Sequence, residues 1–205
     1  MSGPVFVSID YIDRQKGTWN VYVCTYEDGI QHALAYREIE CSLYPQAALA
    51  KVWTNLREIL AIHNVSSPNP MVIGCDANDL QIATNIMNIA QQSEDKLFTC
   101  IVKEKRSTRP GVYFKMDMYK LERLQKLLRN DALIGVKNIG YESPKQLADD
   151  MDALLLADDM EALFTSGTVY RGANVPHVLL AVEVACLAYT AHVGMDQKRE
   201  TTRVA

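Results

Sequence analysis

Two aspartates close apolar runs in this sequence, Asp10 at the end of VFVSID and Asp76 at the end of MVIGCD. The first run is rich in β-branched residues, and the second is the short apolar kind that a buried central strand shows. If the two strands are neighbours, their carboxylates meet at one edge of a sheet. Carboxylates held close together raise each other's pKa, so a cation between them relieves the repulsion. Mg²⁺ and Mn²⁺ take oxygen ligands, and a pair of such ions stabilises the attacking and leaving oxygens of phosphodiester cleavage. Asp10 and Asp76 are therefore candidate catalytic residues and metal ligands. An acid at a strand end is also a good turn former or helix cap, and each aspartate taken singly has that plainer reading. Asp13, beyond the first apolar run, ranks second because of its distance.

The elements that would have to position these acids can be read from periodicity and turn chemistry. Residues 18–27 (TWNVYVCTYE) carry β-formers, Asp28-Gly29 is a hairpin turn signal, and residues 30–40 can return as a third strand. The opening thus predicts a three-stranded antiparallel meander. Pro45 starts a helix over 45–63, whose Leu49, Val52, Trp53, Leu56 and Leu60 recur at helical spacing. After SSPNP at 66–70 come a strand at 71–76, a helix at 79–92 that Asn78 can cap, and a strand at 97–104. A helix at about 117–130, a short strand at 132–136, a helix from Ser143-Pro144 to about 157, and a helix over 175–192 complete the order. This succession predicts an α/β fold of RNase H-like type, a mixed central sheet in which the meander is joined by parallel strands, flanked by helices. Residues 1–193 read as one domain and 194–205 as a flexible polar tail.

Composition narrows the class. The chain has 205 residues, 48% of them hydrophobic and 22% charged, as soluble globular proteins do. No run approaches the roughly 20 apolar residues of a membrane span, and the N-terminus has no signal-peptide pattern. The expectation is an intracellular protein of host nucleus or cytoplasm, with no membrane partner. Cys24, Cys41, Cys75, Cys100 and Cys186 are odd in number and scattered, without CxxC, and read as buried free thiols rather than zinc ligands or disulfides.

Charge is uneven. Residues 101–130 hold nine Lys/Arg against three acids, a local +6 within a chain of net charge −4. Lys103, Lys105, Arg106 and Arg109 precede the helix at 117–130, and Lys120, Arg123 and Lys126 share one of its faces. Together they form a candidate DNA-binding rim that contacts phosphates and positions duplex DNA without reading its sequence. A solvated helix face with a charged loop is the alternative. The acidic stretch 142–161, including Asp149, Asp150 and Asp152, suits solvent or a basic partner, with no strand end to organise a metal.

Several segments resemble the nuclease domain of viral DNA-packaging terminase large subunits, of the herpesvirus and tailed-phage type. VIGCDANDLQIATNIMNIAQQ is similar to the family's second acidic motif and SIDYIDRQKGT to its first. YFKMDMYKLERLQKLLRNDALIG resembles its Lys-containing helix and the small strand after it. ESPKQLADDMDALL resembles a Thr-Asp-Pro motif opening a helix, and SGTVYRGANVPHVLLAVEVACLA the family's closing helix. The likeness runs diffusely over residues 5–192 and rests on motif order. It implies Asp10 as the first acid and Asp76 as the second, where herpesviruses have Glu. The family's third acid falls where this sequence has Pro176 and His177, with Asn174 just before. Proline cannot ligate; the resemblance implies that His177 could fill the site, binding Mn²⁺ or moving a proton, and the competing expectation is that the third site is lost and the nuclease weak or dead. A lone histidine at a helix start is more often a cap or a surface residue. Glu183 lies about 9 Å further along a helix and would need unusual docking.

The resemblance implies a Mg²⁺- or Mn²⁺-dependent endonuclease that cuts concatemeric viral DNA beside a packaging ATPase or other terminase subunits. No GxxxxGK[ST] phosphate loop occurs, so this chain is not the motor. Two other functions fit the same residues: a Holliday-junction resolvase with clustered acids, and a catalytically degenerate RNase H-like module that binds DNA or a packaging partner.

Overall fold

The computed structural model describes residues 3–13, 17–65, 71–76, 85, 88, 97–102 and 132–156, and helical residues 178, 179, 181, 182, 184–186, 188–190 and 192–194. β1 (Val5–Asp13), β2 (Thr18–Glu27) and β3 (Ile30–Glu40) form the antiparallel meander. Asp28 and Gly29 both take positive φ, 50° and 81°, which gives the hairpin the twist its strands require.

α1 (Pro45–Ile62) follows, with proline in its first turn, where a missing N–H costs nothing. It stops at Asn64, whose φ is 53°, while Val65 N–H caps the Leu60 carbonyl at 2.9 Å. This helix carries the chain over the sheet, so β4 (Met71–Asp76) returns parallel to β1 and adjacent to it. β5 (Leu97–Val102) lies parallel to β4, and the short β6 (Leu133–Ile134) lies parallel to β3. The sheet order is β5-β4-β1-β2-β3-β6.

Strand alternation sorts the meander into two buried faces. Val5, Val7, Ile9, Trp19, Val21, Val23, Leu34 and Ile39 face α1, meeting Leu49, Val52, Leu56 and Ile59. Phe6, Tyr22, Cys24 and Ala33 face the other way, packing with Leu147 of α2 (Pro144–Leu156) and with Leu179, Val182 and Ala185 of the C-terminal helical residues. Phe6 takes Tyr26 and Tyr189 edge-on at 5.3 and 5.4 Å, and those two tyrosines stack at 3.8 Å. A meander continued by parallel strands, with helices on both faces, is the RNase H-like arrangement.

Three expectations are corrected. β1 does not end at Asp10 but continues to Asp13, with a register shift against β2 between Tyr11 and Asp13. Asp13 is accordingly the last residue of the strand rather than beyond it, paired with Thr18. The strand expected at 132–136 is two residues long. Gly135 at φ 76° breaks it, and a 3-10 turn spans Val136–Ile139. Among the described residues, no helix is long and apolar enough to cross a membrane. The helix expected at 117–130 and the tail beyond 194 lie outside the described residues.

Candidate functional site

Backbone register decides where the two aspartates stand. Ile9 pairs with Cys75 across the parallel β1–β4 ladder, so the next residues, Asp10 and Asp76, occupy neighbouring positions on adjacent strands. Parallel neighbours are about 4.8 Å apart, and residues level with one another share a face. On its other side, Asp10 pairs with Asn20 of β2, and Asn20 pairs with Glu38 of β3. Asp76 pairs with Val102. One row across the sheet therefore reads Val102, Asp76, Asp10, Asn20, Glu38. By alternation, the row lies on the same face of the sheet as Phe6 and Tyr22, which pack against α2 and the C-terminal helical residues.

Among the described side chains of the row, Asn20 is buried and Glu38 is exposed. Asn20 is only 2% exposed, and its Oδ1 has no hydrogen-bond partner among the described residues. One step down the same face, Ser8 is fully buried and its Oγ is likewise unpartnered, while its register partner Gly74 contributes no side chain. Buried acceptors without donors are costly, about 1–3 kcal/mol each, and seldom persist without a reason. Glu38 at the exposed end of the row accepts a hydrogen bond from the Tyr36 hydroxyl at 2.7 Å.

The register positions of the row hold two carboxylate residues, Asp10 and Asp76, beside Asn20, whose buried Oδ1 lacks a donor among the described residues. Oxygen ligands in adjacent positions are what Mg²⁺ and Mn²⁺ take. Among the described residues, no group of three His, Cys, Asp or Glu forms a metal cluster. A second polar cluster on this face centres on Gln31, whose Oε1 is likewise unpartnered among the described residues. Gln31, fully buried, donates from Nε2 to the Tyr22 hydroxyl at 3.0 Å and to Cys24 Sγ at 3.2 Å.

His177, Asn174, Pro176 and Glu183 lie outside the described residues, as do Lys103, Lys105, Arg106, Arg109, Lys120, Arg123 and Lys126. Asp149 and Asp150 are exposed on α2, where Asp149 pairs with Lys145, and neither is near a strand end. Sequence reasoning missed Asn20 and Ser8. The available signal was an asparagine and a serine set within otherwise apolar strands.

No protein-family model matches this sequence, and no curated protein does. Among solved structures, the chain is similar to the human cytomegalovirus terminase nuclease domain, Mn-soaked and inhibitor-bound. The TM-score is 0.51 at 12% identity, over 90% of this chain and 82% of that one. Against the Mn-soaked domain the TM-score is again 0.51, at 10% identity over 91% and 82% of the two chains. At such identity the likeness is one of fold: this chain has a terminase-nuclease-like fold.

Proposed function

We propose that this protein is a metal-dependent DNA endonuclease of the terminase type, cutting double-stranded viral DNA during genome packaging. The observation that carries the reading is the level placement of Asp10 and Asp76 on adjacent parallel strands of a terminase-nuclease-like sheet. The two carboxylates would hold Mg²⁺ or Mn²⁺, with His177 as a further ligand or proton carrier. A divalent ion so held supplies charge neutralisation at the phosphate and an activated water. The chain's own part is to fix the acids in one row, to cover them with the C-terminal helix, and to seat the phosphate backbone on Lys103, Lys105, Arg106, Arg109, Lys120, Arg123 and Lys126.

Duplex DNA is the partner on this reading, with a packaging ATPase or other terminase subunits beside it, in host nucleus or cytoplasm.

Nicking of supercoiled plasmid in Mg²⁺ or Mn²⁺ tests the proposal. Asp10→Asn and Asp76→Asn should each reduce it by more than about 100-fold, beyond the roughly 10–100-fold typical of losing an outer partner of a metal ligand. A wild-type protein that leaves the plasmid intact in every divalent metal sinks it.

Proline at the third acidic position favours one rival, a module that has kept the fold and lost catalysis. Such a protein would bind DNA without cutting it and take up no Mn²⁺ in a calorimetric titration. A resolvase would cut four-way junctions in preference to linear duplex, whereas a terminase-type nuclease would not.

A further inference from the structure

We infer that Asn20 supplies a neutral oxygen ligand to the divalent cation of the Asp10/Asp76 row, completing by a β2 side chain an oxygen set that the third acidic position does not provide. The inference rests on the endonuclease reading.

Three facts converge on it. Asn20 is the direct antiparallel partner of Asp10, and opposed residues have Cβ atoms about 4.5–5.5 Å apart on one face. Its Oδ1 is closed to solvent and has no donor among the described residues. Its neighbours along the row, at positions 10 and 38, are acids, which when ionised accept hydrogen bonds and cannot donate them. The amide nitrogen of Asn20 can donate to such acids, whereas its buried Oδ1 still lacks a donor, and a cation or water bound to one would satisfy it. A carbonyl oxygen is an ordinary ligand for hard divalent ions and adds no charge to a site that already holds two carboxylates.

Asparagine also suits the place better than a third carboxylate would. A carboxylate directly opposite Asp10 would add repulsion in the metal-free protein, where cross-strand like charges are destabilising. Asn20 keeps the oxygen and avoids that penalty.

The role separates from a structural one by the sign of two measurements on the full chain. The first is Mn²⁺ affinity by calorimetry, and the second is the metal-free melting temperature. Asn20→Leu is expected to weaken Mn²⁺ binding by about tenfold or more, the loss of one favourable contact to a charged group. Its metal-free melting temperature should hold or rise, because a buried unpaired acceptor is gone. Asn20→Asp should bind Mn²⁺ more tightly than wild type and melt lower without metal.

If both variants bind Mn²⁺ as wild type does while Asp10→Asn loses binding, the Asn20 role is overturned and the nuclease reading survives. If wild type itself takes up no Mn²⁺, both fall. Should Asn20→Leu fail to fold, the residue has a structural hydrogen-bonding role and the inference is wrong, a result Asn20→Asp checks by its Mn²⁺ affinity.

Discussion

At the scale of single residues, burial governs the chemistry of the polar groups on the helix-covered face. Cys24 is fully buried between Tyr22 and Gln31, and the loss of hydration pushes its thiol up to about 12, although hydrogen bonds from Gln31 and Tyr22 pull the other way. Only thiolate reacts with alkylating agents, so near pH 8 this sulfur is both shielded and protonated. Cys41 is partly exposed after β3, where partial burial raises its thiol and nearby Lys51 lowers it. Iodoacetamide applied to the native protein should therefore modify Cys41 well before Cys24, with the sites mapped by peptide mass spectrometry. Equal labelling of both would mean that the face carrying Cys24 opens readily to solvent. It would remove the argument that Asn20 and Ser8, on the same face, are kept dry.

At the scale of elements, the sequence was informative where a local rule and the tertiary arrangement agree. β2, β3 and β4 have the bounds expected from alternation, apolar runs and the Asp28-Gly29 turn, and α1 differs by one residue at its end. β1 was underestimated because YID looks like a polar turn, yet those residues extend the pairing past a register shift. The acids of the row were visible because they terminate apolar runs. Asn20 was not, since period-two alternation leaves it on a face that is buried only when helices from the far end of the chain cover it. β6 shows the converse, a strand cut short by one glycine. A Cβ on Gly135 would sit 2.5 Å from the Ala33 carbonyl oxygen, which accepts from Asn138 Nδ2 at 2.9 Å, and φ is 76° besides. Gly135→Ala should then cost about 2 kcal/mol or more, combining left-handed strain with the clash. The loss should appear as a lower urea midpoint and faster hydrogen exchange at the Gln31 amide, which donates to Ala132 O at 2.7 Å. Unchanged stability would show that the β3–β6 edge contributes nothing to the cooperative unit.

For the whole molecule, the same buried groups make stability depend on pH from the alkaline side. Tyr22 and Cys24 are fully buried, and desolvation raises both above their ordinary values; Tyr26 and Tyr141, less buried, are raised for the same reason. Each is an acid whose neutral form the fold prefers, so above about pH 9 the unfolded chain binds fewer protons than the native one. Stability then falls with pH, by about 1.4 kcal/mol per pH unit for each fully deprotonating group. The contribution is complete below the unfolded pKa, near 9.0 for cysteine, and is lost as pH rises towards the folded value of about 12. Urea midpoints should hold between pH 7 and 8.5 and decline steeply by pH 10.5. Cys24→Ser keeps an acceptor for Gln31 Nε2 but does not titrate, so it should flatten that decline by one group's share while leaving the neutral-pH midpoint close to wild type. A wild-type midpoint that stays level through pH 10.5 would mean these side chains reach water in the native state. The two-faced sheet, with its second face sealed by the C-terminal helix, would then be wrong as a description of the protein in solution. The dry setting of Asn20, on which its proposed role as a metal ligand rests, would go with it.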